Sequence, residues 1–312
     1  MAQLERLFDR PVLEPIPAHR WESGAVLNPA AFFDGRQVHL YYRAVEGNNL
    51  SSIGYARFSP QGELLYRHPV PVLTRQTPEE SQGVEDPRMI CLDGNHYLFY
   101  VAYNGTITKT GIAVTRDFIH FEKLGFVQVP VFDKDAFIFP ERFDGQIAYV
   151  HRIDPDIQLC RFDSIEALLA MTAEQWREYL DHLDRHTLMR PLFNWENMKI
   201  GGGVPPIRCE SGWLLIYHGV EKLNQANDRI YRAGAALLDG DHPETVLARL
   251  AYPILEPERP WERIGDVNNV VFPTGAYSFE DNLFVFYGCA DKVIGLAKGK
   301  FSDLMESFTR KS

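Results

Sequence analysis

The sequence predicts an all-β fold, a five-bladed β-propeller with one helical insertion, and three observations carry that expectation. Aromatics reach 12%, with 14 Tyr and 20 Phe beside 23 Gly and 20 Pro, a mixture suited to many short strands joined by turns. One pattern of proline, strand, Gly or acidic turn and aromatic strand returns five times. A polar residue closes the copies at a recurring place, which a pair of β-sandwiches would not explain.

The first copy is Asn28-Pro29-Ala30-Ala31-Phe32-Phe33, a turn at Asp34-Gly35, and a strand from Val38 to Arg43. The second runs from Asp86-Pro87-Arg88 through Asp93-Gly94 to Tyr97 and on to Asn104. The third has Phe139-Pro140-Glu141, Asp144-Gly145, and Ile147 to Arg152. The fourth has Pro205-Pro206-Ile207-Arg208, Ser211-Gly212, and Trp213 to His218. The fifth has Phe272-Pro273-Thr274-Gly275, Asp281-Asn282, and Leu283 to Gly288. A third strand led by glycine follows four copies, at Gly54, Gly111, Gly234 and Gly295, and the third copy places Ile157-Gln158-Leu159-Cys160 there. The spacing is close to a fifth of the 312 residues, and repeats of several strands mark propeller blades.

A helix is expected between the third and fourth copies, from Thr172 to Leu183. Thr172 and Gln175 form a capping box, and Trp176, Tyr179, Leu180 and Leu183 recur at helical spacing. The stretches near Pro78 and Pro257 read as loops. No domain boundary is visible, so residues 1–312 are expected to form a single catalytic domain, long enough to bury its own core. Whether residues 1–25 complete the last blade stays open.

The net charge of −10 argues against nucleic acid as a partner, because a general phosphate-backbone binder shows a basic surface. Cys91, Cys160, Cys209 and Cys289 lie far apart with no CxxC spacing, so free thiols are expected and no metal site. The N-terminal residues lack a basic-then-apolar leader pattern, and no apolar run approaches the roughly 20 residues that span a bilayer. A cytoplasmic protein with no membrane partner is the expectation.

Equivalent positions in a propeller converge on one axis. Asn28, Asp86, Lys134, Lys199 and Asp266 stand near the repeat prolines, and Arg43, Asn104, Arg152, His218 and, slightly later, Asp291 stand at the strand ends. Glu85-Asp86-Pro87-Arg88 reads either as an ion pair at a blade entrance or as the seat of a general acid, Asp86. Lys199-Ile200-Gly201-Gly202-Gly203 permits either a tight turn or close approach of an anion to main-chain amides. His218 is structural or shares the role of Arg43 and Arg152. An acid beside a cluster of cations suits a reaction in which a small oxyanion is itself the nucleophile. Inverting glycosidases need two carboxylates, one of them to activate water. Phosphate needs no such base, only cations that hold it beside the anomeric carbon.

These residues resemble glycoside hydrolase family 130. The resemblance rests on Asn28-Pro29-Ala30, Tyr42-Arg43-Ala44, Glu85-Asp86-Pro87-Arg88, Lys134-Asp135-Ala136, Phe139-Pro140-Glu141, His151-Arg152, Lys199-Ile200-Gly201, Tyr217-His218-Gly219-Val220 and Tyr231-Arg232. It implies a five-bladed β-propeller and a β-mannoside phosphorylase that releases α-mannose 1-phosphate. It implies Asp86 as proton donor, acting through the 3-hydroxyl of the mannosyl unit. It implies phosphate contacts at Arg43, Lys134, Arg152, Lys199 and His218, and sugar contacts at Asn28, Arg88, Tyr103, Asn104 and Asp266. Asn48 and Arg142 are the neighbouring alternatives to Asn104 and Lys134. No cofactor or metal is implied; the partners are a β-mannoside and inorganic phosphate. A β-mannosidase using Glu141 or Asp266 as base, and a non-catalytic sugar-binding propeller, are the alternatives. Linkage, acceptor sugar and oligomeric state, a homo-oligomer included, stay open, as do the loops Gly47 to Ser52 and Val220 to Asp228 that would set them.

Overall fold

The computed structural model describes residues 2–223 and 228–309. Five antiparallel units of strands follow one another along the chain. The first contains Ala25–Phe33, Val38–Val45, Ser51–Phe58 and Leu64–Arg67. The second contains Gly83–Leu92, Asn95–Tyr103, Thr108–Thr115 and Phe121–Phe126, joined to the first by a single parallel pairing of Ser51 with Gly83. The third contains Lys134–Phe143, Gln146–Ile153, Asp156–Phe162 and Thr187–Met189. The fourth contains Gly212–Lys222, Arg229–Leu238 and Val246–Arg249, with Lys199–Gly202 and Ile207–Cys209 both pairing Gly212–Lys222. The fifth contains Val271–Phe279, Asn282–Cys289 and Val293–Lys300, and Glu5–Arg6 pairs Val293–Lys300 as its fourth strand. The N-terminal segment therefore completes the last unit.

First strands touch in sequence: Ala25–Phe33 meets Gly83–Leu92, which meets Lys134–Phe143, which meets Lys199–Gly202. Val271–Phe279 lies against two strands of the fourth unit and against Ala25–Phe33, so the series of contacts returns to its start.

A recurring buried staple ties the outermost strand to its unit in four of the five. Glu22 accepts hydrogen bonds from Tyr42 (2.8 Å) and from Arg67 (2.6 Å). Glu80 accepts from Tyr100 and Lys123, Glu196 from Tyr217 and Arg249, and Glu262 from Tyr287 and Arg6, all between 2.6 and 2.9 Å. Each glutamate sits in a short helical turn entering its unit, each tyrosine on the second strand, and each cation on the outermost strand. All four glutamate side chains are fully buried, where an unpaired carboxylate would be costly. The repeated glycine makes room for the tyrosine ring: a Cβ on Gly54 would stand 2.3 Å from Tyr42, and one on Gly111 2.2 Å from Tyr100.

Two details differ from the sequence expectation. The fourth unit's first strand begins before its prolines, at Lys199, because Pro205 and Pro206 lack the N–H a continuous ladder needs. The insertion holds two helices, Ile165–Ala170 and Ala173–Asp181, capped by Ser164 and Thr172, and Phe301–Thr309 forms a further helix. Among the described residues no helix is long and apolar enough to cross a membrane, and the four cysteines are unpaired.

Candidate active site

Three first strands carry a β-bulge at the same place, between Leu27 and Ala30, Glu85 and Arg88, and Lys134 and Phe137. Inside the bulges Asn28, Asp86 and Asp135 adopt left-handed backbone, with φ of 45°, 47° and 55°. A bulge re-aims a side chain out of the alternating pleat, and polar left-handed residues concentrate where function requires it. Pro29 and Pro87 follow two of them, where a missing N–H harms nothing.

Asn28 and Asp86 meet directly: the Asn28 amide donates to Asp86 Oδ1 at 2.9 Å. Arg43 donates to Glu85 (2.7 Å) and Ser51 (2.9 Å), and its guanidinium lies 3.7 Å from Asp86. Asp291 faces the same place. Burial raises its carboxyl to about 6; nearby Arg43 opposes this, and the charges of Asp86 and Asp266 add to it. Asp266 itself is exposed and pairs with Lys292 at 3.3 Å.

A second group gathers on the third and fourth units. Asp135 is its hub: Arg152 Nε donates to it at 2.5 Å, His218 Nε2 stands 3.7 Å away, and Arg88 3.6 Å. Burial alone would raise the Asp135 carboxyl, but the Arg152 and Arg88 guanidinium groups hold it well below the usual carboxylate range. Lys199 binds Asp154 at 3.1 Å, and Arg152 binds the same carboxylate. Burial, reinforced by Arg152, lowers Lys199 to about 8. Burial lowers His218 to about 3, against the pull of Asp135, so its ring is neutral at pH 7 and offers one N–H, not a charge. Its Nδ1 is buried and unpartnered. Lys134, opposite Arg152 in the ladder, acts electrostatically on both Lys199 and Asp291 and so lies between the two groups.

The site thus has an acid half (Asn28, Arg43, Glu85, Asp86, Asp291) and a cation half (Lys134, Arg152, Lys199, with neutral His218 and Asp135 beneath). Arg43 belongs to the acid half, not beside the other cations as expected. Arg88 is buried below both halves. Four of its five donors go to the carbonyls of Gly203 (2.6 Å), Asp86 (3.1 Å), Pro87 (3.2 Å) and Gly202 (3.3 Å), and the nitrogen that carries the fifth lies 3.6 Å from Asp135, so the side chain is committed to the protein's interior and not to a sugar. It ties the second unit to the fourth.

Asn104 and Tyr103 also spend themselves locally. Asn104 Oδ1 accepts from the amides of Thr106 and Ile107, both at 2.9 Å, and Tyr103 donates to the Gly105 carbonyl. The register shows why: the residue equivalent to Arg43 is Val101, which pairs Glu85 as Arg43 pairs Leu27. The alternative Arg142 pairs Asp93 at the far end of its strand. Asp135 is the residue the sequence analysis missed. Its sequence signal is that Asp135-Ala136 stands where Asn28-Pro29 and Asp86-Pro87 stand, one residue after Lys134, on which the sequence expectation falls. Of the loop from Val220 to Asp228, residues 224–227 lie outside the described residues.

The strand units, the paired acid and the cation cluster are those of a carbohydrate-active class of all-β proteins, and comparison with known proteins places the chain within it. The model of glycoside hydrolase family 130, described as β-1,4-mannooligosaccharide phosphorylase, matches residues 11–310, and the chain belongs to this family. It is 36% identical to the 1,2-β-oligomannan phosphorylase of Thermoanaerobacter sp. (strain X514), over 97% of this chain and 99% of the relative. It is 38% identical to the β-1,2-mannobiose phosphorylase of the same organism, over 95% and 97%. The solved β-1,2-mannobiose phosphorylase of Listeria innocua superposes with a TM-score of 0.82 at 24% identity, covering 98% of this chain and 99% of that one, a likeness of fold.

Proposed function

We propose that the protein is an inverting β-mannoside phosphorylase built as a five-bladed β-propeller, with the catalytic residues on one face of its axis. The observation that supports this most is the segregation of Lys134, Arg152 and Lys199 from the acid half. Phosphate held by these cations and the His218 N–H stands across the sugar from Asp86. A phosphate oxygen forms the new bond to the anomeric carbon as the bond to the glycosidic oxygen breaks, and Asp86 supplies the proton that oxygen takes up, through the sugar's 3-hydroxyl. Asn28 and Arg43 hold the acid in place. Asn28, Asp266 and Asp291 bind sugar hydroxyls. Among the described residues the carboxylates beside the cations are Asp135 and Asp154, and both are engaged by them, Asp135 by Arg152 and Asp154 by Lys199 and Arg152, which speaks against either as a base that activates water.

The β-1,2 linkage is the substrate class we favour, since the relatives at 36% and 38% identity are phosphorylases of β-1,2-linked mannosides. Four unpaired cysteines suit the reducing cytoplasm. Incubating the enzyme and phosphate with β-1,2- and β-1,4-mannobiose tests the linkage: mannose 1-phosphate is expected from the first. Its appearance only from the second would reverse the assignment.

A further inference from the structure

The third unit lacks the staple found in the other four. In each unit the second strand carries one ring directly before the residue that faces the site: Tyr42 before Arg43, Tyr100 before Val101, His151 before Arg152, Tyr217 before His218, Tyr287 before Gly288. The ladders fix this equivalence, pairing Leu27 with Arg43, Glu85 with Val101, Lys134 with Arg152, Gly201 with His218 and Phe272 with Gly288. At the third unit a histidine thus replaces the tyrosine. Gln158 replaces the glycine across from it. Asp133 takes the glutamate's part, with His151 Nδ1 at 3.0 Å from Asp133 Oδ1, and the Tyr179 hydroxyl, 2.8 Å from Nε2, takes the cation's part. Tyr179 comes from the helix Ala173–Asp181, not from the outermost strand.

We propose that Tyr179 is a positioning residue: through His151 and Asp133 it sets the Lys134–Arg152 pair that receives phosphate. This rests on the phosphorylase reading above. Neighbouring residues of a strand face opposite ways, so His151 points into the core where Arg152 points to the site. Two carboxylate pairs flank Lys134: Asp133, just before the strand, with His151 on the buried side, and Asp135 with Arg152 on the site side. The bulge between Lys134 and Phe137 interrupts the main-chain ladder here, so side chains must hold the register. The Tyr179 hydroxyl donating to Nε2 keeps the proton on Nδ1, where it meets the Asp133 carboxylate. The helical insertion is therefore part of the phosphate site's scaffold.

The test measures phosphate affinity by calorimetry and the Michaelis constants for phosphate and β-mannoside separately. Tyr179→Phe, which loses one neutral hydrogen bond, is expected to weaken phosphate binding about fivefold and leave the sugar's constant unchanged. The comparison variant is Tyr287→Phe, which breaks a staple preceding a glycine with no side chain to position. It is expected to lower thermal stability without altering phosphate affinity. Equal phosphate affinity in wild type and Tyr179→Phe, or equal loss in both variants, would overturn the positioning role alone. Should Tyr179→Phe not fold, Asp133→Asn carries the same expectation and the same contrary outcome. Absence of phosphate binding by the wild type would overturn the phosphorylase reading and this proposal with it.

Discussion

Asn28 and Asp86, 58 residues apart in sequence, meet through a 2.9 Å hydrogen bond between equivalent bulges of adjacent units. The Asp86 carboxylate is thereby fixed in orientation, with the Arg43 guanidinium 3.7 Å from the same oxygen.

Replacing the acid follows directly. Asp86→Asn keeps the shape and the contact to Asn28 but cannot give up a proton. Turnover is expected to fall by roughly 10²- to 10⁴-fold, the range general acid catalysis supplies, with an unchanged melting temperature. A near wild-type rate would exclude Asp86 as the donor.

If Lys199 holds phosphate as proposed, phosphate use is expected to depend on pH. With burial and Arg152 lowering its pKa to about 8, Lys199 is cationic below pH 8 and neutral above. Bound phosphate favours the charged form, so affinity is full below pH 8 and declines as pH rises through that value. Lys199→Arg, which keeps its charge throughout, is expected to move the decline upward. Michaelis constants for phosphate between pH 7 and 9.5 measure this.

Gly201 is required for the approach of His218 to Asp135. A Cβ there would stand 2.4 Å from His218 Cε1 and 2.5 Å from Asp135 Oδ2. Gly201→Ala is expected to displace both, raising the Michaelis constant for phosphate about tenfold or more while sugar binding, held on the acid half, changes little. Equal effects on both substrates would count against the division of the site.

The staples set the acid limit of stability. The folded pKa values of Glu80 and Glu262 lie below the ordinary 4.5; burial opposes this, and Lys123 or Arg6 with main-chain amides outweighs it. Groups lowered on folding contribute stability above their unfolded pKa and lose it as pH falls through the folded value. Thermal melts are expected to fall steeply below about pH 4.5. Glu80→Ala leaves the half-buried Lys123 with only the Thr74 carbonyl and the Tyr100 hydroxyl without its acceptor, and is expected to cost about 1–3 kcal/mol at neutral pH, visible in denaturant titration.

The five strand copies, their order and the insertion were legible in the sequence because alternation, glycine turns and repeated aromatics are local signals. The polar residues Asn28, Asp86, Arg152 and His218 were legible because they share repeat positions. The glutamates of the staples were not recognised, though Trp21-Glu22, Glu79-Glu80, Trp195-Glu196 and Trp261-Glu262 each precede a unit. Their meaning depends on partners such as Arg6 and Glu262, which are 256 residues apart. Arg88 follows a bulge, which changes the face a side chain takes and which spacing alone does not reveal, whereas Asn104 stands past the end of its strand, three residues beyond Val101, the residue in register with Arg43.

Whether the cation half holds the nucleophile is tested most directly by proton and phosphorus NMR of the wild-type reaction with β-1,2-mannobiose, with and without inorganic phosphate. With phosphate, α-mannose 1-phosphate is expected as the first product, in proportion to mannobiose consumed; without it, turnover is expected to stop. Release of free mannose at the same rate in both samples would contradict the account and assign the site to hydrolysis.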